Sequence, residues 1–260
     1  MKKPTDANDL HVLRGLPAVT ACIDSAAKPG HGECGAADAV LLPDQHGHLP
    51  PRAFALTEMG AGEMYVDRFR DEVIFVSGMG WFTWSKSHWR HDPENIAVLK
   101  RTKVIAQEFY EEAKWASRAD DSREKQFSHF AGMAQKMSFR RSVLDSAKNE
   151  QKLDHEAIEL DRDPMLLNVR NGTINLRTGE LHRHKPSDYI TRVIPIDYDP
   201  AAKCQRFERF LVEVLPDAET IEFMWKFVGY CLTASVEEEV FVFCYGAGAN
   251  GKTKLAEVLK

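Results

Sequence analysis

The run VFVFCYGAGANGKTKLAEVLK, from Val240 to Lys260, constrains this chain more than any other stretch. Six continuous apolar residues, Val240 to Tyr245, suit a strand buried on both faces, as strands of parallel sheets are. Gly246, Ala247, Gly248, Ala249, Asn250, Gly251, Lys252 and Thr253 then match G-x-x-x-x-G-K-[ST]. Good helix formers follow. Strand, glycine loop and helix in that order make one unit of a parallel layer, and such a layer needs several crossovers to close. One unit is present. The expected class is therefore α+β, with helices and β-hairpins upstream of the first strand–loop–helix of an incomplete P-loop α/β layer.

The loop composition has a chemical rationale. A triphosphate gives up hydration when it binds, and the site must replace it. Glycines let the backbone curl so that successive N–H groups point inward, and the following helix turns its positive end to the same place. Gly246, Gly248, Asn250, Gly251, Lys252 and Thr253 are thus the candidate nucleotide-binding residues, for ATP with Mg2+. Lys252 reaches the β- and γ-phosphates as a mobile charge, and the Thr253 hydroxyl goes to the bridging Mg2+. An accidental glycine turn is the competing explanation; the buried strand before it and the helix after it weigh against that. Hydrolysis further needs an acidic residue at the end of another strand. No later strand follows Lys260, so a chain truncated just after the loop is expected, with Leu255, Val258 and Leu259 lacking a covering layer.

The 260 residues are 43% hydrophobic and 28% charged, enough for a core in one or two domains. The formal net charge of −5 removes any whole-chain attraction to nucleic acid, so such binding needs a local basic face. Cys22, Cys34, Cys204, Cys231 and Cys244 have neither zinc-ligand nor disulfide-framework spacing. The start lacks an apolar signal-peptide core and no stretch is long enough to span a bilayer, so a cytoplasmic protein without a membrane partner is expected.

Residues 1–61 are rich in Gly, Ala, Pro and His and read as a poorly ordered leader. VIFVSGMGWFTWSKSHWRHD reads as two strands meeting at a glycine turn. Trp81, Trp84 and Trp89 there are either hairpin core or a base-stacking platform. Asp92 and Pro93 suit the N-cap and first position of a helix with Val98, Ile105, Phe109, Ala113 and Ala116 inward. Phe127, Phe130, Ala134 and Met137 mark a second helix, and a third begins near Ser138. Lys136, Arg140 and Arg141 form a basic cluster, either a solvated helix face or a phosphate contact. Asn171-Gly172 and Thr178-Gly179 mark two reversals between strands. His182 and His184 share a strand face and could hold a metal only with a third ligand, which the sequence does not supply. Asp199-Pro200 opens a helix striped with Phe207, Phe210, Leu211 and Val214. Pro216-Asp217 opens another, with Ile221, Met224, Val228 and Leu232 inward.

The stretch Asp161–Leu211, especially LLNVRNGTINLRTGEL and IPIDYDP, resembles the N-terminal module of phage and plasmid primase–helicases. These are superfamily 3 helicases related to the poxvirus primase–helicase. The loop from Gly246 to Thr253 is similar to that family's G-x-G-x-N-G-K-[ST], Asn250 included. The likeness covers roughly residues 62–260. It implies residues 62–198 as the family's N-terminal module and 199–260 as the start of a P-loop α/β ATPase domain. It also implies an ATP-driven DNA helicase in mobile-element replication, with single-stranded or origin DNA as partner and a hexameric homo-oligomer in full-length members. The family's magnesium acid, sensor and arginine finger have no counterpart here. A catalytically inactive remnant, acting as a DNA-binding or oligomer-assembly module, is the alternative. An unrelated P-loop kinase or GTPase is disfavoured because such enzymes usually open with the loop.

Overall fold

A computed structural model describes residues 43–119, 122–150, 153–246, 248 and 250–259. The leader expected over 1–61 lies outside these residues as far as residue 42. Residues 43–61 carry a 3-10 turn at Pro51–Ala53 and the first turn of α1 (Glu58–Phe69). Ala61 is fully buried, so the expected boundary at 61/62 cuts through a packed helix. Thr57 caps α1, its hydroxyl accepting from the Gly60 N–H at 3.1 Å.

The aromatic stretch forms three strands, not two: β1 (Val73–Val76), β2 (Gly80–Trp84) and β3 (Trp89–His91). The extra reversal is at Ser85–His88, where Lys86 adopts a left-handed φ of 76° that no glycine advertises. A two-residue strand, β4 (Asp154–His155), joins β1 in parallel, giving the order β3-β2-β1-β4. Strand alternation splits the side chains between two faces. Val73, Phe75 and Trp81 meet the helices, while Ile74, Val76, Phe82 and Trp89 face Leu160 and Tyr189. Trp81 and Trp89 are buried as hairpin core, and Trp84 is half-buried against Trp89, with ring centroids 5.5 Å apart.

The helical layer is α2 (Ile96–Arg118), α3 (Glu124–Ala134) and α4 (Met137–Ala147) together with α1. The inward positions expected on α2 are all buried. Each large one contributes about 1.5–3 kcal/mol of apolar transfer. Phe130 ties the helices together through edge-to-face contacts with Phe109 (4.8 Å) and Phe139 (5.2 Å). Asp92 caps α2 from outside. The turn Pro93–Asn95 intervenes with Asn95 left-handed, and the Asp92 carboxylate accepts from the N–H groups of Ile96, Ala97 and Val98 at 2.8–3.1 Å. Met137 belongs to the start of α4 and is exposed, not on the α3 stripe.

β5 (Leu166–Val169), β6 (Gly172–Asn175) and β7 (Glu180–His182) form a second, antiparallel sheet. The first reversal is Arg170-Asn171, one residue earlier than expected. Gly172 opens β6 instead, because a side chain there would meet the His182 carbonyl of β7. Asn171 is held by two bonds with the Tyr198 backbone, each 2.9 Å. The reversal at Thr178-Gly179 is where expected, with Gly179 left-handed.

The C-terminal part carries α5 (Gln205–Val214), α6 (Ala218–Cys231) and α7 (Lys252–Leu259). Asp199 does not open α5. It makes a local turn, accepting from the Ala201 N–H at 2.8 Å, and the helix starts six residues later. Asp217 does cap α6, accepting from Thr220 N–H at 2.7 Å. Leu211, Met224 and Leu255 form the buried centre, with Phe207, Phe210, Ile221 and Val228 around it. Leu232 is largely exposed, outside that centre.

Val240–Tyr245 forms no strand ladder, and Phe241 (87% exposed) and Phe243 (76%) face solvent. The two-sided burial expected of it is not realised. A ladder needs a neighbour, and no described strand lies beside this one. The helices and two sheets make the fold α+β.

Candidate functional site

The glycine loop is positioned from below by packing. Leu255, in the first turn of α7, is 6% exposed against Leu211 and Met224. The covering expected to be missing is thus supplied for Leu255 by α5 and α6, while Val258 remains exposed and the Leu259 side chain lies outside the described residues. Gly251 fits because it lacks a side chain. Its φ is +81°, and a Cβ there would stand 2.7 Å from Val214 Cγ1 and 3.2 Å from the Phe210 ring. The Leu255 N–H donates to the Gly251 carbonyl at 2.9 Å, which starts the helix at Lys252.

Gly246 has φ +144°, and the space a side chain would take is filled by the Asn250 amide, with Lys252 Nζ 3.7 Å away. Lys252 Nζ donates to Asn250 Oδ1 at 2.6 Å and to the Gly246 carbonyl at 3.1 Å. The two ends of the loop are therefore drawn together around the ammonium. Gly248 is exposed with open space around it, and Thr253 is exposed at the second position of α7. Ala247 and Ala249 lie outside the described residues.

Beside the loop is a cavity of about 430 Å3, lined by Val214, Phe223, Met224, Phe243, Tyr245 and Lys252 among others. No carboxylate lines it. The arrangement places the Lys252 ammonium, the start of α7 and an apolar wall around one cavity. The amphipathic stripes of α5 and α6 were legible as core; their service as the floor of this loop was not, because nothing local in them signals which segment they receive.

A larger cavity of about 730 Å3, lined by Glu159, Arg162, Asp163, Arg177 and Tyr189 among others, shares no residue with the loop. Its charges are largely matched: Arg177 pairs with Asp163 at 3.0 Å, and that bond holds Asp163 below the usual carboxylate range. His155 Nδ1 lies 2.7 Å from Glu159, which is likewise lowered by that bond.

The remaining candidates resolve individually. Arg140 is a structural pin, its guanidinium donating to Thr102 Oγ1 at 2.7 Å and to the Leu99 carbonyl, while Lys136 and Arg141 stay exposed. His182 donates to the Arg183 carbonyl (2.8 Å) and His184 to the Arg170 carbonyl (3.3 Å). Among the described residues no three His, Cys, Asp or Glu side chains converge as a metal site. Cys204, Cys231 and Cys244 are free and exposed; Cys22 and Cys34 lie outside the described residues. Among the described residues no helix is long and apolar enough to cross a membrane.

Comparison with known proteins gives two matches. Residues 62–216 match the family model described as "D5 N terminal like". Over 106 residues the chain is 33% identical to a "Putative helicase" of Acanthamoeba polyphaga mimivirus. That alignment covers 39% of this chain and 11% of the viral protein, so the chain spans a small part of that relative's length. The glycine loop lies beyond the residues matched by the family model.

Proposed function

The chain belongs to the D5 N-terminal-like family of primase–helicases, and from that premise we propose that it forms part of an ATP-dependent DNA helicase of the superfamily 3 type, serving replication of mobile-element DNA. Residues 62–198 act as the family's N-terminal module, and 199–260 as the start of an ATP-binding domain. Full-length members assemble as hexameric rings around DNA.

The observation that carries the ATP assignment is the loop geometry. Gly246 and Gly251 both hold backbone conformations that side chains rarely adopt, and they bring the Lys252 ammonium against a loop carbonyl at a helix start. ATP with Mg2+ fits this donor set. Lys252 is the charge that exchanges carbonyl and amide oxygens for phosphate oxygens, the N–H groups at the start of α7 receive the anion, and Thr253 supplies a hydroxyl for Mg2+. Asn250 holds Lys252 in place, and Gly246, Gly248 and Gly251 keep the backbone open to close approach. ATP supplies the energy of phosphoryl transfer. Among the described residues no carboxylate lines the cavity beside the loop, and the reading expects binding without turnover for this chain by itself.

Titration of a fluorescent ATP analogue with Mg2+ tests the reading. Binding weaker than low micromolar is expected, because the loop is supported on one side only, and Lys252→Ala removes it. Equal binding by Lys252→Ala overturns the assignment; ATP turnover abolished by that substitution overturns only the expectation of binding without turnover.

The exposed Phe241, Phe243 and Tyr245 favour a second reading, in which the chain works without catalysis as a DNA-binding or assembly module. It predicts DNA binding or self-association that ignores Lys252→Ala.

A further inference from the structure

Two stretches far apart in sequence share an unusual charge balance. Trp81 to His91 contains Lys86, Arg90, His88 and His91 and no carboxylate. Leu181 to Val193 contains Arg183, Lys185, Arg192, His182 and His184 against one carboxylate, Asp188, whose side chain is only 15% exposed. In a chain of net charge −5 these are local reversals of sign.

The fold lays the two stretches side by side. The Trp89 N–H donates to the Ile190 carbonyl and its indole N–H to the Pro186 carbonyl, both at 2.8 Å. Asn168, 4% exposed on β5, donates from one amide to the Ser87 carbonyl at 2.9 Å and the Arg192 carbonyl at 2.8 Å. Lys86, Arg90, Arg183, Lys185 and Arg192 are all exposed along this seam, and none forms an ion pair among the described residues. The neighbouring arginines of the second sheet differ, since Arg170 is matched to Asp197 and Arg177 to Asp163. Burial, and after it the positive charges of Arg90 and His184, hold His88 below the usual imidazole value.

Long, exposed, unpaired cations on both sides of a rigid seam match an extended polyanion better than a compact one. Trp81 and Trp89 are turned into the core and Trp84 is half-buried against Trp89, so contact with the ligand is chiefly through its backbone. We propose that the seam between the Ser85–His88 turn and residues 183–192 binds the phosphate backbone of nucleic acid without reading its sequence. The proposal gives the DNA partner of the reading above a specific place on the chain, and it rests on that reading only for the choice of DNA as probe.

The test is fluorescence anisotropy of the full chain with a labelled oligothymidine and a labelled mixed-sequence duplex, between 50 and 200 mM NaCl. The triple substitution Lys86→Glu, Lys185→Glu and Arg192→Glu is compared with a Gln version of the same three and with the control pair Lys136→Glu and Arg141→Glu. Melting curves establish that all variants fold. The proposal expects binding to at least one probe, about tenfold or more weakening by the triple Glu variant, a smaller loss in the Gln version, and a salt slope lowered by about 2, at roughly 0.7–0.9 for each phosphate no longer neutralised. It also expects little effect of the control pair and of Lys252→Ala. Preference for one probe over the other decides between single and double strands. No binding at 50 mM NaCl, equal loss in the control pair, or displacement of DNA by polyglutamate at equal charge overturns it. Loss of ATP binding alone in Lys252→Ala speaks to the loop, not to the seam.

Discussion

Asn168→Ala is the sharpest test of how the two sheets are held together. The wild-type side chain is 4% exposed and makes three bonds: donations to Ser87 O (2.9 Å) and Arg192 O (2.8 Å), and acceptance from Thr173 Oγ1 (3.2 Å). Each buried bond contributes about 1 kcal/mol net. Truncation therefore costs about 3 kcal/mol, since the two Trp89 bonds to residues 186–190 remain and limit the loss. In a domain of about 150–250 residues that lowers Tm by roughly 6–12 °C. Thr173→Val removes a single bond with little change of shape and costs about 1 kcal/mol, or roughly 2–4 °C. Asn168→Asp keeps the acceptor for Thr173 but loses both donors and buries a charge, so at pH 7 it is at least as damaging as the alanine. Urea denaturation gives the free energies and calorimetry the midpoints. Asn168→Ala within about 0.5 kcal/mol of wild type refutes the stitching role, as does a Thr173→Val cost equal to it.

Other substitutions separate structural from solvated groups. Arg140→Ala loses two charge-assisted bonds to α2 and costs about 2 kcal/mol by urea denaturation, whereas Arg141→Ala changes stability by less than about 0.5 kcal/mol. Gly251→Ala combines a left-handed φ, about 1–2 kcal/mol, with overpacking against Val214 and Phe210, about 1–3 kcal/mol. It undocks α7, read as lost hydrogen-exchange protection of the Leu255 amide. The Thr220 backbone N–H bond holds Asp217 below the usual carboxylate value. A depressed folded pKa stabilises above the unfolded value and the benefit disappears as pH falls through the folded one. The capping contribution to α6 is thus present above about pH 4 and lost under acid, and Asp217→Asn removes that part of the pH dependence while keeping an N-cap acceptor.

What the sequence made legible was periodic or chemically specific. The α2 face from Val98 to Ala116 was readable because 3.6-residue spacing reports burial directly. The Thr178-Gly179 reversal was readable because Gly179 needs a left-handed φ. Caps were misplaced where the acid works from a distance: Asp92 reaches over a three-residue turn, and Asp199 uses its carboxylate on its own turn. β3 escaped because its turn uses Lys86, not glycine, at positive φ. Val240–Tyr245 has strand composition, but pairing is a property of two segments, and composition names only one of them. The loop residues were readable as a motif. The packing that seats them, Gly251 on Val214 and Leu255 on Leu211, is tertiary and carries no local signal.

The central claim is that Gly246, Gly248 and Asn250 to Thr253, with the Lys252 ammonium, are the proposed binding site for a nucleoside triphosphate. Backbone amide NMR of the full chain titrated with Mg2+ and ATP tests it residue by residue. The account predicts that the largest shift changes fall on Gly246, Gly248 and Asn250 to Thr253, and that they vanish in Lys252→Ala. Changes centred elsewhere in the chain, or none at millimolar ATP, contradict it.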